Sequence, residues 1–177
     1  MPPSAGSTRW FGVLAATVLV GLSVVPWPRA SAPRESSAPA TEFSAARALD
    51  RLRDLFGDGA PHPAGSVAHR LVRERLLVQL AELGLDTQVQ EEFARRNSER
   101  LAVVRNVVAR MFEDAPGKAV LLAAHYDSVG AAPGAGDDGA GVAALLEIAR
   151  ALRAGPALTR PVILLFSDGE ELGLVGA

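Results

Sequence analysis

The stretch that most constrains this chain runs from Ala119 to Gly141, AVLLAAHYDSVGAAPGAGDDGAG. An apolar run ends in a histidine, an aspartate follows two places on, and a glycine-rich turn carries two more aspartates into a helical pattern. A second apolar run, VILLFSDGEELG from Val162 to Gly173, also ends in acidic residues. Short apolar runs bounded by turn residues predict buried strands. Two neighbouring strands are therefore expected to deliver an imidazole and several carboxylates to one edge of a sheet, the donor set of a metal site.

Composition narrows what that site can be. With 49% hydrophobic and 21% charged residues over 177 positions, the chain can hold one ordinary globular domain after a non-globular start. A net charge of -2 gives no general case for nucleic-acid binding, which normally shows as a clustered basic surface. The absence of cysteine excludes a disulfide framework, a thiolate zinc finger and a cysteine nucleophile. Any metal must be held by nitrogen and oxygen.

The uncharged run Trp10 to Trp27 reads as a membrane-directing segment, so residues 1–28 are expected to be an anchor or a signal segment. Tryptophans at both ends favour a retained anchor, whereas Ala30-Ser31-Ala32 offers a cleavage site and a secreted alternative. Residues 29–42, rich in Pro, Ser and Ala, read as a linker. The folded part is expected over 43–177. Ser44 caps a helix with Ala45, Leu49, Leu52 and Phe56 on its apolar face, and Ser66 caps a second with Leu71, Val72, Leu76, Leu80 and Leu83. Strand patterns follow near Thr87 to Glu91 and Val103 to Met111, then the fully covered strand Ala119–Ala124, a helix over Gly139–Leu152 and the strand Val162–Phe166. This order predicts an α/β sandwich with its site beyond the strand carboxyl ends.

His125 leaves the first apolar strand, and Asp127, two places on, shares its face if the backbone stays extended, so that its carboxylate can receive an imidazole N–H. Asp137 and Asp138 open a helix, where capping explains one acid and a metal explains two. Glu170 and Glu171 pose the same choice after the next strand. Gly134, Gly136 and Gly139 also spell G-x-G-x-x-G, with Asp168 near the place of a ribose-binding acid. The dinucleotide reading fails because the glycines begin well after the strand and the adjacent aspartates would face a pyrophosphate.

Taken together, HYDS, PGAGDDGAG and SDGEELG resemble metallopeptidase family 28, the di-zinc aminopeptidases and related exopeptidases. FSAARALDRL and PHPAGS look like its membrane-anchored branch, related to endoplasmic-reticulum and vacuolar-membrane metallopeptidases. The resemblance implies a three-layer α/β sandwich with a mixed central sheet, incomplete at its C-terminus and preceded by a hydrophobic helix. By the same resemblance His125 binds one zinc, Asp137 bridges two, Glu171 binds the other, Glu170 is the general base and Asp127 supports His125. Asp138 is given a supporting role. The implied partners are a peptide substrate and a membrane reached through the N-terminal segment, with the peptidase domain on the extracytoplasmic side.

The family pattern needs one more aspartate and one more histidine as ligands. Of the three histidines, His62 and His69 lie upstream and read as a turn residue and an exposed helix residue. The chain is accordingly expected to be the N-terminal part of a larger peptidase, inactive by itself. A non-catalytic peptidase-like binding domain is the competing expectation, and a dinucleotide-binding domain a remote one.

Overall fold

The computed structural model describes residues 17, 32–95 and 101–176. The expected N-terminal hydrophobic helix lies, apart from Thr17, outside the described residues. Among those residues no helix is long and apolar enough to cross a membrane. The compact unit that carries the motifs runs from Pro33 to Ala177.

That unit begins upstream of Phe43, where the apolar periodicity starts. Its first ten residues have little apolar surface and are held by polar groups instead. Arg47 donates to the carbonyls of Ser36, Ala38 and Glu42, and Arg150 to those of Ala40 and Glu42. Both arginines grip the buried Glu147 carboxylate, at 2.9 and 2.7 Å.

Helix α1 spans Ala45–Phe56, capped by Ser44, whose hydroxyl accepts the Arg47 N–H. Its buried residues are Ala48, Leu55 and Phe56, while Leu49 of the expected face is 45% exposed. Glu147 accounts for the rotation: it draws Arg47 and Arg51, one turn apart, towards the neighbouring helix that carries it. Helix α2, Val67–Glu82, is capped by Ser66 and buries His69, Val72, Leu76, Gln79 and Leu80. Gly84, at φ 62°, takes the left-handed conformation that ends it.

Strands β1 (Asp86–Arg95) and β2 (Leu101–Met111) pair antiparallel, β2 pairs antiparallel with β4 (Val162–Ser167), and β4 pairs parallel with β3 (Val120–His125). The sheet order is β1-β2-β4-β3. Helix α3, Ala140–Ala154, connects β3 to β4. The sheet is thus mixed and helix-covered, in agreement with the expected α/β class.

Two expectations need correction. The run Ala119–Ala124 was expected to be a fully covered strand, yet β3 lies at an edge of the described sheet, and Leu121 is 58% exposed. The core also occupies one face only. Val107, Ala109 and Met111 of β2 pair in register with Phe166, Leu164 and Val162 of β4, and all six join Leu55, Leu76, Leu80 and Leu146 of the helices. Ile163 and Leu165, on the opposite face, are only half-buried. Among the described residues the helices thus pack on one face of the sheet, and a continuous apolar run did not distinguish a two-sided strand from a one-sided one.

Candidate metal centre

The parallel pairing of β3 and β4 fixes where the site forms. His125 pairs with Ser167, and the Tyr126 N–H donates to the Ser167 carbonyl at 3.0 Å, so both chains leave the sheet side by side. Beyond His125 the chain reaches a turn over Ala135–Gly139 that leads into α3. Gly134 enters this turn at φ 66° and accepts the Gly139 N–H at 2.9 Å. A β-carbon at Gly134 would meet the Ser128 side chain at 2.8 Å and the Asp137 carbonyl at 2.9 Å. Glycine here permits both the backbone sign and the close approach. Asp137 and Asp138 lie in the turn with non-helical backbone angles.

The turn returns the two acids to His125 by separate routes. Asp137 Oδ1 stands 3.1 Å from His125 Nε2. Asp138 accepts the His125 N–H at 3.3 Å with one oxygen and the Gly141 N–H at 3.1 Å with the other. Asp138 is therefore a backbone clamp and helix cap, leaving Asp137 to face the imidazole with a largely exposed side chain.

After β4 the chain makes a turn instead of the helix start weighed for the two glutamates: Gly173 and Leu174 donate back to the Glu170 carbonyl at 2.8 and 2.7 Å. Asp127 holds this turn. One carboxylate oxygen accepts the Glu170 N–H and the other the Glu171 N–H, each at 3.1 Å. Its carboxylate is thereby occupied, and His125 Nδ1 instead lies 3.0 Å from the Asp127 carbonyl oxygen, with the carboxylate at 3.5 Å. The expected carboxylate-to-imidazole contact is thus replaced mainly by a backbone one.

A carbonyl oxygen only accepts, so the Nδ1 atom carries a proton and Nε2 faces the acids. Around Nε2 stand Asp137 at 3.1 Å and Glu170 at 3.9 Å. Burial alone would lower the His125 pKa; the Asp137 hydrogen bond, the Asp127 carbonyl and the nearby carboxylates outweigh it and raise the pKa above the ordinary 6.5. This is an environment that calls for a cation on Nε2, either a proton or a metal. One donor atom each from His125, Asp137 and Glu171 lies within 4.8 Å of the others. An imidazole and two carboxylates suit a borderline cation such as zinc, so the donor set fits the implied metal.

Of the two other histidines, His62 lies in the loop between the first two helices, as expected, whereas His69 is not exposed on its helix. His62 is buried beneath the site: its N–H donates to Ser128 Oγ at 2.8 Å and its ring packs on Phe56. Desolvation lowers its pKa. His69 is only 2% exposed, beside Asp168 and against the Tyr126 ring. The signal for His69 was present in the sequence, because it shares the helical face of Val72, Leu76 and Leu80. The Asp168 carboxylate is likewise buried and accepts the Arg105 N–H at 2.8 Å, so it reaches into the protein rather than towards a cleft.

Residues 106–177 match the profile of peptidase family M28. The vacuolar membrane protease of Schizosaccharomyces japonicus is 30% identical over 179 aligned positions, 93% of this chain and 20% of that protein. A glutaminyl cyclase of Porphyromonas gingivalis superposes with a TM-score of 0.64 at 31% identity, over 71% of this chain and 45% of that one. A Zn-dependent exopeptidase of Parabacteroides distasonis gives a TM-score of 0.64 at 25% identity, over 75% of this chain and 49% of its own. The chain thus spans a fifth of the aligned protease and about half of each solved structure.

Proposed function

Because the chain belongs to peptidase family M28 through residues 106–177, we propose that it supplies part of a zinc exopeptidase site, with His125, Asp137 and Glu171 as ligands and Glu170 as general base. The reading is carried by the convergence within 4.8 Å of three donors, one from the end of β3 and two from separate turns. The similarity to a Zn-dependent exopeptidase supports the choice of metal and reaction class. The aminopeptidase direction rests on the resemblance of the HYDS, PGAGDDGAG and SDGEELG motifs.

When bound, zinc would supply a Lewis acid for the scissile carbonyl and acidify a water towards neutrality. The chain's own groups prepare the rest. Asp127 fixes the backbone of both glutamates, so their side chains take different tasks from one turn. Glu171 is a ligand, whereas the Glu170 side chain, 34% exposed, accepts a proton from the attacking water and returns it to the leaving amine. Asp138 holds the His125 backbone while the Asp127 carbonyl fixes the imidazole tautomer.

A two-zinc centre, with Asp137 as the bridge, requires ligands beyond these three. His62 and His69 are buried in other contacts, and among the described residues no second cluster of metal donors forms. The 177-residue chain alone is therefore proposed to lack turnover, and the activity to belong to a protein with the full ligand set. A peptidase-like binding domain without that set remains the competing reading, decided by zinc stoichiometry. Residues 1–28 are proposed as a membrane anchor placing the peptidase on the extracytoplasmic face, in keeping with the membrane protease relative; cleavage after Ala32 would instead release it. The functional test is release of N-terminal residues from peptides by the protein with the full ligand set, with and without a chelator: chelator-sensitive release supports the proposal, and chelator-resistant hydrolysis refutes it.

A further inference from the structure

Behind the proposed ligands lies a second polar group that the metal chemistry does not use. His69 Nε2 stands 3.1 Å from Asp168 Oδ1, both side chains being almost wholly buried. The approach is close but not aligned as a hydrogen bond, and neither atom is hydrogen-bonded to any other described group. The Gly65 N–H points at the other ring nitrogen, Nδ1, at 3.4 Å, which therefore accepts. An unprotonated Nε2 would set two lone pairs against each other in a dry interior, so the proton lies on Nε2, facing Asp168. The ring also stacks on Tyr126, with centroids 4.7 Å apart and planes within 4°.

Both partners belong to the strand exits that carry the site. Tyr126 directly follows His125, and Asp168 lies two residues before Glu170. They also share one anchor: Asp168 accepts the Arg105 N–H and Tyr126 donates to the Arg105 carbonyl, at 2.8 and 2.7 Å. Side chains thus continue the pairing of β2 and β4 beyond Val107 and Phe166, where the ladder ends.

We propose that His69 is a positioning residue for the metal centre, bracing Asp168 with its Nε2–H and Tyr126 with its ring so that the two exits keep a fixed separation. The proposal rests on the metal reading above. In that reading an outer hydrogen-bond partner sets ligand orientation, and its loss lowers metal affinity about 10- to 100-fold.

The test compares zinc affinity, by competition with a chromophoric chelator, in the full protein and its His69→Phe, His69→Gln and His125→Ala variants, at a temperature where each is folded by circular dichroism. His69→Phe keeps a stacking ring and removes the donor; His69→Gln keeps an N–H near the Nε2 position. Weakening of about tenfold or more in His69→Phe, with rescue to near the unsubstituted affinity in His69→Gln, supports the proposal. Unchanged affinity in His69→Phe overturns it while leaving the metal reading intact, provided His125→Ala abolishes binding. If the unsubstituted protein binds no zinc, or His125→Ala binds normally, the metal reading fails and the proposal with it. If His69→Phe does not fold, nitrogen-15 NMR of the histidine rings in the unsubstituted protein decides: a neutral His69 protonated at Nε2 upholds the assignment, and protonation at Nδ1 overturns it.

Discussion

Asp127 and Glu171 are joined by a hydrogen bond from the Glu171 N–H to the Asp127 carboxylate, at 3.1 Å, across 44 positions of sequence. The same carboxylate takes the Glu170 N–H with its other oxygen. One side chain on the β3 exit therefore sets the turn on the β4 exit. Asp127→Asn replaces an acceptor by a donor facing an N–H. We expect zinc affinity to fall about 10- to 100-fold while far-ultraviolet circular dichroism stays unchanged, measured by competitive zinc titration.

Glu170 separates proton transfer from metal binding. In the protein with the full ligand set, Glu170→Gln is expected to lower kcat by about 100- to 10,000-fold, the usual contribution of a positioned base, with zinc content preserved. Steady-state peptide hydrolysis beside metal analysis checks both halves; near-normal turnover removes Glu170 from the base role.

Much of this arrangement was legible in the sequence because it depends on local signals. The serine caps, the glycine stops and the two apolar runs ending in acids all act within a few residues, and the structure places the helices and strands near those bounds. The rotation of α1 was not legible, because its cause is Glu147, about a hundred positions from Arg47. The edge position of β3 depends on sheet order, which periodicity does not encode. His69 was misplaced for a different reason: histidine is ambivalent about burial, and only its buried partner Asp168 makes the helical spacing decisive.

Glu147 offers a stability test away from the metal. Desolvation would raise its pKa, but hydrogen bonds from Arg150, Arg47 and the Ser44 N–H outweigh that and hold it below the ordinary 4.5. A depressed folded pKa means that this stabilisation is complete above the unfolded value and is lost as pH falls through the folded one. Glu147→Gln leaves three partly buried arginines, Arg47, Arg51 and Arg150, uncompensated and is expected to cost about 3 kcal/mol at pH 7. In urea unfolding, the gap between the two proteins should narrow below pH 4.5; a gap that widens in acid would contradict the assignment.

His125 gives the opposite sign. Its raised folded pKa means that the imidazolium stabilises the metal-free chain fully below the ordinary 6.5, and that this contribution fades as pH rises through the folded value. A proton and a metal compete for the same Nε2, so apparent zinc affinity should rise by about tenfold per pH unit through that window and then level. Titrations between pH 5.5 and 8.5, a range of about 1 to 2 units either side of a typical imidazole, would show it. A flat profile would exclude His125 as a ligand.

Gly134 tests whether the turn positions Asp137. Gly134→Ala forces a side chain into left-handed backbone beside Ser128 and the Asp137 carbonyl. The strain is expected to be about 1 to 3 kcal/mol, and thermal unfolding with zinc titration should show both a lower midpoint and weaker binding. Unaltered values in both would show that the turn tolerates the substitution.

The most direct measurement is the zinc coordination of the 177-residue chain, by X-ray absorption at one equivalent of metal, compared with His125→Ala, Asp137→Asn and Glu171→Gln. The account predicts a nitrogen- and oxygen-ligated ion with one imidazole in its first shell, and loss or marked weakening of binding in each variant. A shell with no imidazole or with two, or binding untouched by all three substitutions, would contradict it.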